Sequence, residues 1–341
     1  MKHKVRIIIP YFGKFLDSIK PFLRSCEQNS DFQWLFFTDD NLPFVPNNVS
    51  VIQCELEDIK KRVEKKLGFK VALNAPYKLC DFRPAFGLIF EEELKDADFW
   101  GWGDVDLIYG DLSHFITDEV LDTYDKVYPC GHLSLVRNAE EINRVFMLDV
   151  PGTLSYKDVF NSGKNFIFDE YKGLNEKLRY IGKKVYGRID FADMDIVYQR
   201  FRTADKKTIN WVFPDFLYKK YIPKNYKRQT FVYEKGKTYR FYINKRNVHQ
   251  DELVYIHYRH KIPCQLRIEE IDEYYITNRG FVKKNKPVTL EEIERTNKYL
   301  GRAKEVKEYI AFCKERIIYF LGANKKLRNA IRQLKGKEKI L

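Results

Sequence analysis

The run Phe99-Trp100-Gly101-Trp102-Gly103 ends in Asp104-Val105-Asp106, and glycines flank the acidic pair. An apolar, aromatic-rich run of this kind reads as a strand. In extended backbone, residues i and i+2 point to the same side. Asp104 and Asp106 are therefore expected to face one way and Val105 the other. Two carboxylates on one face repel each other unless something cationic sits between them. A hard divalent ion such as Mg²⁺ or Mn²⁺ takes oxygen ligands and can share them with phosphates. Read alone, the same triplet also describes an exposed strand end with two solvated acids.

The segments before it set the fold class. Lys4 to Pro10 is a short apolar run that ends in Pro10-Tyr11-Phe12-Gly13. It reads as a buried first strand and is too short for a signal sequence. Phe15, Ile19, Phe22, Leu23 and Cys26 recur at helical spacing. Phe32 to Phe37 and Val49 to Cys54 read as two more strands, the first ending in Thr38-Asp39-Asp40. Strand, helix and strand with polar loops at the strand ends describe the start of an α/β sheet. In open α/β sheets, ligands bind outside the strand C-termini. Tyr11, Phe12, Gly13, Thr38, Asp39 and Asp40 are thus expected at one crevice, with loop packing and a solvated turn as the competing readings.

Further along, Glu55 to Gly68 reads as a charged helix. Lys78 and Asp81 would share one helix face, either as an exposed ion pair or as ligand contacts. Pro84 should kink or restart that helix. Tyr124 to Pro129 and His132 to Val136 read as strands, Glu140 to Leu148 as a helix, and Phe166 to Gly173 as the opening of another helix. Asp190, Asp193 and Asp195 read as a turn and a solvated edge. Thr230 to Asn244 reads as a hairpin turning at Glu234-Lys235-Gly236-Lys237. Leu253 to Lys261 alternates like a strand, with His257 and Arg259 on one face. Leu290 to Leu321 reads as a long amphipathic helix.

Composition narrows the function classes. The 341 residues are 44% apolar and 16% aromatic, which fits a folded chain and not a disordered one. No stretch approaches the roughly 20 apolar residues of a membrane span. Cys26, Cys54, Cys80, Cys130, Cys264 and Cys313 are scattered with no C-x-x-C, which predicts reduced thiols, no structural zinc and a cytoplasmic setting. Residues 281–341 carry 17 Lys and Arg against 7 Glu, so +10 of the net +13 belongs to them. A nearly neutral remainder weakens a nucleic-acid reading and favours an anionic surface as the tail's partner. The chain has no G-x-x-x-x-G-K-[ST], no G-x-G-x-x-G after its first strand and no G-x-S-x-G. P-loop, dinucleotide and common serine-hydrolase chemistries are disfavoured accordingly.

Four stretches, in this order and spacing, resemble bacterial GT-A-fold glycosyltransferases of capsular and cell-surface polysaccharide clusters. They are Ile9-Pro10-Tyr11-Phe12-Gly13-Lys14, Phe36-Phe37-Thr38-Asp39-Asp40, Tyr77-Lys78-Leu79-Cys80-Asp81-Phe82-Arg83-Pro84 and Trp102 to Asp111. Gly131-His132 to Asn138 and His257-Tyr258-Arg259-His260-Lys261 also fit. The resemblance spans roughly residues 5–265 and leaves the chain after about 280 uncovered.

The resemblance implies a GT-A fold, that is, a Rossmann-like nucleotide-binding mixed sheet flanked by helices. It implies a catalytic domain over 1–275, with a donor half of about 1–135 and an acceptor half of about 136–275. A basic helical tail over 276–341 would follow. Asp104 and Asp106 match the D-x-D motif of that family, and His257 matches its late metal-ligand histidine. Mn²⁺ or Mg²⁺ is the implied cofactor and a UDP-hexose the implied donor. Tyr11 and Phe12, with Thr38 and Asp39, would lie on the nucleoside side. Lys78 and Asp81 would touch ribose, diphosphate or donor sugar, and His132 and Asn138 would lie near the donor sugar. Asp169 and Glu170 are candidates for contacts to acceptor or donor hydroxyls. No single acid stands out as an inverting base, so a retaining mechanism is preferred.

The expected acceptor is a lipid-linked glycan, with the segment 290–339 docking on an anionic inner membrane surface. Competing readings are a metal-dependent phosphodiesterase or nuclease, a nucleic-acid-binding protein and an inactive scaffold. The first would call for a denser His and Asp cluster than six histidines with no H-x-H supply.

Overall fold

The structure is a computed structural model and describes residues 1–188, 190–195, 200–203, 225–259, 264, 266 and 272–297. The chain divides into two compact units, Met1–Asp193 with Phe201–Asn297, and Met194–Arg200 with Lys298–Leu341. The helix expected over Leu290 to Leu321 is described only as Leu290–Thr296, capped by the Thr289 hydroxyl. The rest of the basic segment 290–339, like His260 and Lys261, lies outside the described residues. Among the described residues no helix is long and apolar enough to cross a membrane.

The first unit is mixed α/β with a parallel-rich central sheet. Its strands are β1 (Val5–Tyr11), β2 (Phe32–Thr38), β3 (Val49–Gln53), β4 (Phe99–Gly103), β6 (Lys126–Val127), β7 (Leu133–Arg137) and β8 (Val185–Tyr186). A further short strand, β5 (Leu107–Tyr109), leaves this sheet for another. The central order is β3-β2-β1-β4-β7-β6-β8. β3, β2, β1 and β4 run parallel, and β7 is antiparallel to both its neighbours. Pro10 lacks an N–H, and it falls where β1 has already run past its pairing with β4, which ends at Ile8 and Trp102.

Alternation along the strands feeds two apolar layers. Ile7, Ile9, Trp34 and Phe36 pack on one face with helix α1 (Ile19–Glu27). Ile8, Leu35, Phe37, Trp100 and Trp102 pack on the other with helix α2 (Leu56–Leu67) and the segment 79–90. This explains the Trp-Gly-Trp-Gly pattern of β4. The indoles fill one face, and the glycines empty the other. A Cβ on Gly101 would lie 2.2 Å from the Ser134 carbonyl, and one on Gly103 would lie 2.5 Å from the Tyr109 hydroxyl.

Local signals place several other elements as expected. Helix α2 opens with the Glu55 N–H donating to the Asp58 carboxylate and closes on Gly68 at φ +77°. The strand Gln229–Glu234 turns through Lys235 and Gly236, both at positive φ, into Lys237–Asn244. These strands belong to a five-stranded antiparallel sheet with Asn247–Leu253, Glu273–Thr277 and Gly280–Lys283.

Three expectations are corrected. The boundary at 275/276 falls inside the strand Glu273–Thr277, which pairs with Gln229–Glu234, so the unit continues to Asn297. Phe166 to Gly173 is a series of turns, because Ile167 and Lys172 adopt positive φ, and the helix starts at Leu174. Helix α1 likewise begins only at Ile19.

Candidate functional site

Strand order locates the crevice. The chain moves from β1 outward to β2 and β3, then returns to place β4 on the other side of β1. Ligand crevices form outside strand C-termini at such a switch point. A cavity of about 560 Å³ lies there. Tyr11 and Phe12 leave β1 into it, and Asp104 and Asp106 leave β4. Because β7 is antiparallel to β4, its leading residues Gly131 and His132 reach the same end.

The acidic pair is not within a strand. β4 stops at Gly103, Val105 and Asp106 form a turn, and β5 begins at Leu107. The turn is held by the Asp104 N–H donating to the His132 carbonyl at 2.9 Å and by the Asp106 carbonyl accepting from the Tyr258 N–H at 2.9 Å. The carboxylates converge through this turn rather than through strand alternation. The strand Tyr255–His257 pairs antiparallel with β5, which puts His257 beside Leu107. His257 Nε2 lies 3.3 Å from Asp106 Oδ1 and 4.0 Å from Asp104 Oδ2. Asp106 and His257 are 6% and 5% exposed.

Asp193 completes the other side of the imidazole. It is His257's direct partner in a parallel pairing, and its Oδ1 lies 3.0 Å from His257 Nδ1. Arg259 Nε donates to the same carboxylate at 2.9 Å. Reading the acids of 190–195 as a solvated edge therefore fails for Asp193, and for Asp190, which pairs with Arg188 at 2.7 Å. Burial alone would lower the His257 imidazole, but the carboxylates of Asp106 and Asp193 outweigh it and raise it to about 10. Burial and the neighbouring His257 charge push His132 well below its ordinary value. The two rings stand 4.1 Å apart, centroid to centroid.

Asp169 and Glu170 form the acidic floor of the cavity. Arg83 joins them to the pair. Its guanidinium donates to Asp104, to Asp169 Oδ2 at 2.9 Å and to the Gly131 carbonyl at 3.0 Å. Glu170 accepts from the Gly131 N–H. A Cβ on Gly131 would meet the Asp169 and Glu170 oxygens at 2.7 and 2.8 Å, so the close packing of these acids needs glycine there. Burial and Glu170 lift Asp169 to about 7 against the pull of Arg83, and burial raises Glu170 also. Nearby, burial lowers Lys126 to about 7.

Other predicted contacts are structural. Lys78 and Asp81 are buried and paired at 2.8 Å. Lys78 also donates to the carbonyls of Val159 and Lys164, and Asp81 accepts from the N–H groups of Phe166 and Phe168. Asp81 borders the cavity, but its oxygens are committed to the chain. Asn138 lies at the opposite end of β7 from His132, where it binds the carbonyls of Leu94 and Ala97. Six residue steps of strand separate the two by about 20 Å, and Asn138 does not line the cavity. Thr38 and Asp39 do not line it either. Asp39 accepts from the Gly13 N–H at 2.7 Å and so holds the loop that follows Tyr11, whereas the Thr38 hydroxyl accepts from the Asp40 N–H within its own loop.

Sequence patterns assigned no site role to Arg83, Arg259, Asp193 or Gly131. Arg83 and Arg259 stand inside stretches already singled out, and a lone cation among acids was the available signal. Asp193 offered none.

Asp104, Asp106 and His257 offer one ligand atom each within 4.8 Å of one another. Two carboxylate oxygens and one imidazole suit a hard to borderline divalent ion, Mn²⁺ more readily than Mg²⁺. His132 Nδ1 is buried with no hydrogen-bond partner among the described residues, and His132 groups with Asp193 and His257 rather than with Asp104 and Asp106. The donor set fits the ion that the sequence motif implies.

Fold and site together define a mixed α/β protein with an acid-lined, histidine-closed crevice at its switch point. The chain belongs to a family of unknown function, DUF6625, whose model matches residues 7–285. No curated protein matches the chain. Among solved structures, the galactosyltransferase LgtC in complex with donor and acceptor sugar analogues is similar at 11% identity and a TM-score of 0.34. The match covers 55% of this chain and 75% of that one, a likeness too weak to carry an argument.

Proposed function

We propose that the chain is a GT-A-type glycosyltransferase that uses Mn²⁺ or Mg²⁺ to move a hexose from a UDP-sugar to a glycan acceptor. One observation carries this reading, the convergence of Asp104, Asp106 and His257 at a switch-point cavity. A divalent ion held there would offset the charge of a departing nucleoside diphosphate. Tyr11 and Phe12 would border the nucleoside, at the end of β1 and the start of the loop that Asp39 holds through the Gly13 N–H. Arg83 and Arg259 supply positive charge beside the acids, suited to diphosphate oxygens. His132 would lie beside the donor sugar, and Asp169 and Glu170 would meet sugar hydroxyls.

Residues up to about 135 would form the donor half, and those from about 136 the acceptor half. The carboxylates of the floor are tied, Asp169 to Arg83 and Glu170 to the Gly131 N–H. The two lie side by side and neither stands out as a single inverting base, so retention is proposed over inversion. A lipid-linked surface-polysaccharide acceptor is proposed with it, and the basic composition of 281–341 suits peripheral attachment to an anionic inner face of the cell membrane. Co-sedimentation of the whole chain with vesicles, with and without anionic lipid, tests the attachment.

The test of the reaction is UDP release from a panel of UDP-hexoses with Mn²⁺ present. Release should require Asp106, and Asp106→Asn should abolish it. UDP with Mn²⁺ should also raise the melting temperature. No thermal shift, together with no effect of Asp106→Asn, would overturn the reading.

A further inference from the structure

We infer that Tyr77 and Ile167 form a platform at the cavity mouth for the pyranose ring of the acceptor glycan, an inference that rests on the transferase reading. Both residues line the cavity, and both are open to solvent, Tyr77 at 70% and Ile167 at 47%. Single exposed apolar side chains are ordinary. Ile167 is not ordinary, because its φ is +58°. A β-branched residue in the left-handed region is a steric outlier, and such strain persists only where neighbours over-determine it.

The neighbours here are the buried pair of Lys78 and Asp81. Asp81 accepts from the N–H groups on either side, Phe166 and Phe168, at 3.0–3.2 Å. Lys78 holds the Lys164 carbonyl at 2.6 Å. This clamp turns the Ile167 side chain outward while Asp169, two residues on, turns inward to Arg83. Tyr77 immediately precedes Lys78, so the same clamp anchors the backbone beneath its ring. An outward isoleucine gains little by burial and carries strain, so its position adds nothing to the core. It serves whatever enters the cavity.

The chemistry of the entrant follows from the surroundings. A pyranose ring presents apolar C–H faces and a belt of hydroxyls. An exposed phenol ring and an aliphatic side chain suit the faces. The carboxylates of Asp169 and Glu170 line the same cavity and suit the hydroxyls. The nucleotide is proposed at the β1 side, which leaves to the acceptor this rim, where Tyr77 of the proposed donor half and Ile167 of the proposed acceptor half both line the cavity.

Saturation-transfer NMR on the full chain with UDP and Mg²⁺ tests the platform. The probes are methyl β-galactopyranoside, methyl β-glucopyranoside and methyl N-acetyl-β-glucosaminide. At least one should receive saturation, strongest at the C–H protons of one ring face. Tyr77→Ala and Ile167→Asn should each weaken that probe's binding about tenfold. Calorimetry should find UDP affinity unchanged in both variants. Ile167→Asn should melt no lower than the wild type, because asparagine tolerates the left-handed region. Equal saturation in the wild type and both variants, or none in the wild type, would overturn the platform. If the wild type failed to bind UDP yet gave Tyr77-dependent saturation, the transferase reading would fall and the sugar platform would stand.

Discussion

Asp193 and His257 are direct neighbours across a parallel pairing, with Asp193 Oδ1 3.0 Å from His257 Nδ1. The opposite ring nitrogen faces Asp106. A carboxylate on one imidazole nitrogen fixes the ring's orientation and directs the other nitrogen at its ligand. Asp193→Ala should therefore weaken Mn²⁺ binding in the presence of UDP by about 10–100-fold, measured by calorimetry. Asp193→Asn, which keeps an acceptor oxygen, should recover part of the loss. A lowered melting temperature with unchanged metal affinity would reduce Asp193 to a packing role.

The Lys78–Asp81 pair is expected to govern stability more than nucleotide binding. Asp81→Ala strands a buried ammonium and leaves the Phe166 and Phe168 N–H groups without their acceptor. Breaking one side of a buried pair costs about 3–5 kcal/mol. Urea unfolding should record a loss of that order, with UDP affinity little altered at temperatures where the variant is folded. A variant of near-normal stability that no longer binds UDP would return Asp81 to the nucleotide.

Lys126 should give stability a defined pH dependence. Its ammonium is buried, and its folded value falls to about 7 from an ordinary 10.5. Between those values the unfolded chain binds the proton and the folded chain does not, so stability rises with pH across that window. Below about 7 the full cost of burying the charge is present. Lys126→Met removes this dependence, so the variant should gain on the wild type as pH falls from about 10 to about 6. Asp169, raised to about 7, acts lower down: its contribution is present below about 4 and is lost as pH rises through about 7. Comparing the two proteins by denaturant unfolding isolates Lys126, and parallel curves would exclude the effect.

Gly131→Ala should disturb the acidic floor. The added methyl would stand 2.7 Å from Asp169 and 2.8 Å from Glu170. Overpacking of this kind costs about 1–3 kcal/mol. The shift must also move Arg83 off the Gly131 carbonyl, so UDP release should fall together with the urea midpoint. An unchanged midpoint with full activity would show that the floor can yield.

Much of the fold was legible because its signals are local. The apolar run Phe32 to Phe37, the Glu55 and Gly68 ends of α2 and the Lys235-Gly236 turn depend on residues a few positions apart. The convergence of Asp104 and Asp106 was expected for the wrong local reason, since a turn brings them together and not a strand. Lys78 and Asp81 were expected in solvent or on a ligand, because the groups that occupy them lie at 159–168. The inward turn of Asp193 and the breaking of a helix at Ile167 have the same origin. Each is imposed by a partner that periodicity cannot register.

Sequence by itself determined that a parallel-rich α/β sheet would form and that two carboxylates would close its fourth strand. It also determined where the positive charge lies, in 281–341. Tertiary structure decided which groups meet those carboxylates. Antiparallel pairing with β5 brings His257 to Asp106, parallel pairing sets Asp193 behind it, and Arg83 bridges Asp104 to Asp169. Short-range patterns specify the conformation of a segment, whereas strand register and buried ion pairing act between segments remote in sequence. The site is a product of the second kind of constraint.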